Sequence, residues 1–269
     1  MSILVYSNLK FMDNKWFWEI LSPHNNYIYQ LAKEMPASDI WIAEINWDDY
    51  SSYYSFSSPH LNHFTSPEEA YQQANKLVQV LNGISYLLYE DKFGYSFIVL
   101  GDISNDKKEY FDVENKFGSQ IFDVDFTINL TNPHRTNFII SDLIHLMKSD
   151  QELLNLFFIF GQQSVDWGVL YQAYDSIKTF LGGEAEVKKL IAENRLKSFT
   201  TTANNYNMIG AASRHGVTSA GRANTNTPMT LLEAHTFIDE LARIWLKIKG
   251  VELPVIKSPK ISVEDLFED

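Results

Sequence analysis

The chain contains no cysteine. That excludes a disulfide framework, a thiolate nucleophile and any Cys-ligated metal, and it fits a reducing compartment. Long apolar runs are missing as well: the longest, Leu153 to Phe160, is interrupted by Asn155 and falls far short of the roughly 20 residues that a membrane-spanning helix needs. The opening stretch Met1-Ser-Ile-Leu-Val-Tyr-Ser-Asn-Leu-Lys10 lacks a basic leader followed by an apolar core, so the chain reads as cytoplasmic, without membrane contact. No G-x-x-x-x-G-K-[ST], G-x-G-x-x-G or G-x-S-x-G occurs, which removes support for phosphate-loop hydrolases, dinucleotide enzymes and α/β-hydrolases. Positive charge is scarce: the net charge of −12 argues against a protein that coats nucleic acid with its whole surface.

What is present begins with a core. A 45% apolar fraction over 269 residues is enough for one large or two small globular domains. The acid is unevenly spread, with 10 Lys/Arg against 20 Asp/Glu in residues 1–150. One basic segment stands out: Lys188, Lys189, Arg195, Lys197, Arg214 and Arg222 against Glu193 alone, a local balance of +5.

The first half reads as mixed. Residues 39–47 alternate Trp41, Ala43, Ile45 and Trp47 with Ile40 and Ile42, a strand buried on both sides near its start. A Ser/Tyr-rich loop is expected from Asp48 to Pro59. A helix then starts with Ser66 as cap, Pro67 at its first position and acids in its first turn, runs through Ala70, Ala74, Leu77, Val78 and Leu81, and closes at Gly83. Ile84–Tyr89, Tyr95–Leu100, Glu109–Val113 and Gln120–Ile128 are expected as strands of an antiparallel meander on that helix.

After Pro133 the texture turns helical. Phe138–Lys148, Gln151–Phe160, Asp166–Leu181 and Glu184–Ala192 are read as helices, the third ended by Gly182-Gly183, and Leu196–Ser213 continues in a more polar style. Thr230 with Glu233 three residues on predicts a capping box. The long helix it opens should bury Leu231, Ala234, Phe237, Ile238, Leu241, Ile244, Trp245 and Ile248. The expected class is α+β: a mixed module over 1–136, a helical bundle over 137–250 and an acidic, partly ordered tail over 251–269. The six tryptophans, including Trp16 and Trp18, are read as core or interface residues.

Arg214-His215-Gly216 is the strongest chemical candidate. A histidine titrating near neutrality beside a fixed, planar cation suits acid/base work on a phosphate ester. A helix over 196–213 would lead Asn204 and Asn207 along one face towards that pair. The bland alternative is that both side chains bind the last carbonyls of a helix while Gly216 caps it. His60-Leu-Asn-His63 has a spacing that would serve a metal, but no third ligand is nearby. Asp48-Asp49, Glu68-Glu69 and Asp123-Val-Asp125 read as solvated acids. No metal or cofactor is expected.

The helix ending in Arg214-His215-Gly216, the irregular link after it, and the final helix Pro228-Met-Thr-Leu-Leu-Glu-Ala234 running to Trp245 resemble HEPN domains of the abortive-infection C-terminal type, over about residues 140–250. Residues 65–115 resemble the N-terminal module of uncharacterised bacterial proteins with such C-termini. The resemblance implies a helical domain that dimerises, placing two motifs across a shared groove. It implies metal-independent RNA cleavage in toxin or antiviral roles, with His215 matching the family histidine. The family arginine lies four to six residues earlier, where this chain has Ala211, Gly210 and Ile209. Arg214, Arg195 or the partner subunit's Arg222 would have to substitute. The competing expectation is a non-catalytic module, dimeric through its helices, whose acidic N-terminal part binds a partner protein or small ligand.

Overall fold

The computed structural model describes residues 14–21, 28, 31–32, 39–46, 52–90, 98–101, 139–213 and 228–256. The chain forms two compact units, Met1–Asn82 with Ser96–Phe158, and Gly83–Tyr95 with Ile159–Asp269. The class is α+β, with an antiparallel sheet of four strands in the first unit.

In the first unit β1 (Trp18–Leu21), β2 (Trp41–Asn46), β3 (Ser52–Ser57) and β4 (Val99–Leu100) lie in the order β2-β3-β1-β4. β2 forms as expected, and burial of Ile40, Ile42 and Ala43 covers both of its faces near the start. β3 is a correction, because Ser52–Ser57 was expected to be loop. It pairs with β2 from Trp41↔Ser57 to Asn46↔Ser52. Its serines look like loop composition, but Ser55 and Ser57 turn their hydroxyls onto the carbonyls of Trp18 and Trp16, at 3.3 and 2.8 Å. Buried hydroxyls with acceptors cost little, and Phe56 supplies the apolar contact between them.

α1 spans Pro67–Leu88. Ser66 caps it, accepting from the Glu69 N–H. It does not close at Gly83, and Ile84–Tyr89 is not a strand: the helix runs on through Gly83 as far as Leu88. Ile84, Tyr86, Leu87 and Leu88 are all buried, and burial on every side outweighs the roughly 1 kcal/mol that a glycine costs inside a helix. On its first-unit portion, Asn82 holds Ile98 from both sides, donating to its carbonyl at 3.1 Å and accepting from its N–H at 2.9 Å. The amide side chain thereby acts as a strand partner for the residue that leads into β4. Of the strand expected over 95–100, Val99–Leu100 form β4, Ile98 stands just outside it, and 95–97 lie outside the described residues. The strands expected over 109–113 and 120–128 lie outside the described residues. α2 (Ile139–Ser149) and α3 (Gln151–Phe160) form as expected.

The second unit is built on α4 (Trp167–Phe180), α5 (Glu184–Leu190), α6 (Glu193–Ala203), α7 (Tyr206–Ile209) and α8 (Leu231–Ile248). Asp166 caps α4. The Thr230–Glu233 capping box opens α8, with the Thr230 N–H donating to Glu233 at 2.7 Å and the Glu233 N–H to Thr230 at 3.2 Å. α8 buries Ala234, Phe237, Ile238, Leu241 and Trp245 as expected, but also His235, Ala242 and Leu246. Leu231 and Ile244 are only half-buried, and Ile248 is 59% exposed and drops out of the expected face. The helix ends just beyond it, where Gly250 at φ 78° turns the chain and lets the Val251 N–H reach the Leu246 carbonyl at 2.8 Å. Residues 251–256 are tied back: Ile256 bridges to Tyr89, and the Arg243 guanidinium donates to the carbonyls of Leu87 and Leu253.

Candidate functional site

Phe199 of α6 is the hub of the helical packing. It stacks on Trp167 and Tyr171 of α4 at 6.0 Å, meets Tyr174 edge-on at 5.7 Å, and stacks on Phe237 of α8 at 5.1 Å. Such ring pairs fix the orientation of α6, and so of its C-terminal end. Leu196–Ser213 is not one helix. α6 stops after Ala203, because the Asn204 amide donates to the Thr200 carbonyl at 2.7 Å and to the Tyr171 hydroxyl at 3.3 Å. Asn205 is extended and caps α7, accepting from the Asn207 N–H at 3.0 Å. Asn side chains compete for backbone groups in this way, and two in succession break the helix. Gly210, at φ 61°, turns the chain again.

Asn204 and Asn207 therefore do not share one helical face. Asn204 is half-buried, and its Oδ1 is enclosed without a hydrogen-bond partner among the described residues; Asn207 is exposed. Arg195 is half-buried, its guanidinium 5.5 Å from the Phe237 ring and 2.5 Å from Glu240. Lys188 pairs with Glu184 at 2.9 Å and Glu193 at 3.7 Å, and Lys189 with Glu186 at 2.6 Å. Lys197 is exposed. Much of the segment's positive balance is thus answered by acids outside it. Arg214, His215 and Arg222 lie outside the described residues. The described chain stops at Ser213, beyond α7, and resumes at Pro228. There the Met229 N–H donates to the Thr202 hydroxyl at 3.0 Å, on the last turn of α6.

Two buried polar clusters escaped the sequence reading. In the first unit, Asp39 accepts from His60 Nε2 at 2.6 Å and from Lys148, while its backbone carbonyl accepts from Ser58 at 2.7 Å. Burial pushes the Asp39 carboxyl up, but the hydrogen bonds and charges of His60 and Lys148 outweigh it and hold the group below the usual carboxylate range. His60 is fully buried on Asp39, whereas His63 is exposed, its ring tilted 36° against that of Phe64 with centroids 4.0 Å apart. The His60–His63 spacing therefore does not converge. Among the described residues no group of three His, Asp or Glu side chains is arranged to hold a metal. In the second unit, the Tyr86 hydroxyl and His235 Nδ1 meet at 2.6 Å, and Asp239 accepts from Arg243 Nε at 2.9 Å one turn along α8. His235, Asp239 and Arg243 recur every four residues, a polar stripe that helical periodicity could have found. Tyr86 was hidden by the strand reading of its segment.

No known protein family, curated protein or solved structure matches the chain. Among the described residues no helix is long and apolar enough to cross a membrane.

Proposed function

We propose that this is a HEPN-like, cytoplasmic, homodimeric protein that acts on RNA as a metal-independent endoribonuclease in phage defence or as a toxin. The observation that carries the reading is the C-terminal end of α6. There the helix breaks into a cluster of amides, Asn204, Asn205 and Asn207, and the Met229–Thr202 bond brings the chain back to the same helix end after the segment that contains Arg214-His215-Gly216. In the proposed reaction His215 takes the proton of an RNA 2′-hydroxyl and the 2′-oxygen attacks the adjacent phosphorus. The 5′-oxygen of the next nucleotide leaves with the proton that His215 returns, giving a 2′,3′-cyclic phosphate. Arg214 stabilises the charge that develops on the phosphorane, assisted by the partner subunit's Arg222. Asn204 and Asn207 orient the substrate.

A second reading rests on the ion pairs of Lys188, Lys189 and Arg195, three of the four described cations of the basic segment. It is a non-catalytic helical module that dimerises, while the acidic N-terminal unit binds a partner. One experiment separates the two. Purified protein and His215→Ala are incubated with a mixed RNA pool in EDTA, and the variant's fold is checked by circular dichroism. The nuclease reading expects cyclic-phosphate ends from the wild type and a loss of about a hundredfold or more in the variant. Absence of cleavage by the wild type, or cleavage that survives the substitution, overturns it in favour of the binding module.

A further inference from the structure

The end of α1 is held by the segment that follows α8. The Tyr89 N–H makes a last helical bond, to the Ser85 carbonyl at 3.0 Å. One residue on, a continuing helix would turn the Glu90 N–H to the Tyr86 carbonyl. That N–H donates instead to the Ile256 carbonyl at 3.0 Å, and the Ile256 N–H donates in return to the Leu88 carbonyl at 2.7 Å. Tyr89 and Ile256 thereby form a parallel bridge. Leu87 and Leu88 are fully buried, so their carbonyls, orphaned where the helix ends, depend on donors from outside it.

Arg243 supplies the other donor. Its Nε donates to Asp239 at 2.9 Å, one terminal nitrogen donates to the Leu253 carbonyl at 3.1 Å, and the other donates to the Leu87 carbonyl. One planar guanidinium thus joins α8, the segment after it and the end of α1, a geometry that a lysine does not reproduce. Elsewhere the segment is thinly attached. Val251 is buried at the end of α8, but Glu252, Pro254 and Val255 are exposed, and Leu253 and Ile256 are only half-buried. A segment with so few buried contacts opens long before a packed helical core does. When it leaves, the Leu88 carbonyl loses its donor and Arg243 loses one of its three acceptors, so the last turn of α1 has to open with it.

We propose that residues 251–256 are a releasable strap, latched by Arg243, and that the strap and the last turn of α1 open together as one unit while α4, α6 and α8 stay folded. Displacement of the C-terminal segment is thereby relayed to α1, whose end exists only while the strap is docked. This proposal is independent of the chemistry proposed at the end of α6.

The test is native-state hydrogen exchange of the 15N-labelled full chain, read by NMR amide by amide. In the wild type the Tyr89, Glu90 and Ile256 amides should report one opening equilibrium, with protection factors within about threefold of one another and well below those of Phe199 and Leu241. Ile256→Pro removes one N–H donor and leaves an apolar side chain. It should speed exchange at Tyr89 and Glu90 by about tenfold or more, with Phe199 and Leu241 unchanged. Arg243→Gln should accelerate Tyr89, Glu90 and Ile256 together, by a larger factor than Phe199 and Leu241. Separate opening equilibria for Glu90 and Ile256 in the wild type, an unchanged Tyr89 in Ile256→Pro, or Phe199 and Leu241 accelerating in step with Tyr89 in either variant would each overturn the proposal.

Discussion

The Tyr86 hydroxyl and His235 Nδ1, separated by 149 positions in sequence, meet at 2.6 Å in the core of the second unit. Both residues are buried, and the Tyr86 ring stacks on Phe160 at 4.8 Å. Burial raises the Tyr86 phenol far above its ordinary range, with the Asp239 charge adding to the effect, so the group stays neutral at every physiological pH. The bond fixes the last turns of α1 against α8 with a polarity that apolar packing alone does not specify. Tyr86→Phe keeps the stacked ring and strips the imidazole nitrogen of this bond. The expected loss is about 1–3 kcal/mol, read from urea denaturation with an unchanged dependence on denaturant.

Tyr174 presents the opposite case. Its ring is enclosed between Tyr171 and Phe199, but its hydroxyl has no hydrogen-bond partner among the described residues. Tyr174→Phe should therefore raise stability, by about 1 kcal/mol. Burial first, then the negative neighbours Glu184 and Asp175 together with Tyr171, push the phenol up to about 12. The unfolded chain releases that proton near 10, the ordinary value for tyrosine. The folded state holds it longer, so stability falls as pH rises from about 10 towards 12. Denaturation curves across that range should show a slope that flattens in Tyr174→Phe.

Asp39 ties β2, the turn at Pro59–Leu61 and the end of α2 through His60 and Lys148. Its depressed carboxyl contributes stability that is fully present above the ordinary value of about 3.9 and disappears as pH falls through the lower folded value. Asp39→Asn should cost about 2–3 kcal/mol at neutral pH, because it leaves the half-buried Lys148 ammonium without its counter-charge. At strongly acidic pH the wild type is itself protonated, and the two proteins should converge. Thermal melting at a series of pH values checks both halves of the expectation.

Legibility in the sequence followed locality. The Ser66 and Thr230 caps, the α4 stripe and the α8 core face depend on residues within a few positions of one another, and the residues alone predicted them. β3 was missed because its serines find their acceptors on β1 and just before it, some forty residues earlier, and α1 was cut short because burial from all sides erases the helical period after Gly83. The same limit applied to the site. The basic character of Lys188, Lys189 and Arg195 was visible; Glu184 and Glu186, which answer the two lysines, stand within one turn of them on α5 just outside the basic segment, but Glu240 lies far along the chain from Arg195. Asn204 was recognised as a polar residue leading towards Arg214, whereas its role in stopping α6 depends on Tyr171 of α4.

The Arg195–Glu240 pair offers a direct reading of where RNA binds under the proposed function. With side chains 39% and 46% exposed, it contributes no more than about 1 kcal/mol to stability, so Glu240→Gln should fold normally. That substitution releases the guanidinium beside Phe237, on the helix that leads to Asn204. If single-stranded RNA passes this end of α6, Glu240→Gln should tighten binding and steepen the dependence of log K on log salt by about 0.7, the increment for one added phosphate contact. Removal of a surface acid would also strengthen binding through general electrostatics, and the double variant Arg195→Gln/Glu240→Gln separates the two effects. A gain that depends on Arg195 vanishes in the double variant, whereas a general field effect persists. Arg195→Gln alone should leave the salt dependence unchanged, since Glu240 already occupies the cation in the wild type. Fluorescence anisotropy of a labelled oligonucleotide at several salt concentrations measures all four proteins. Identical slopes across the set would place the RNA path away from α6.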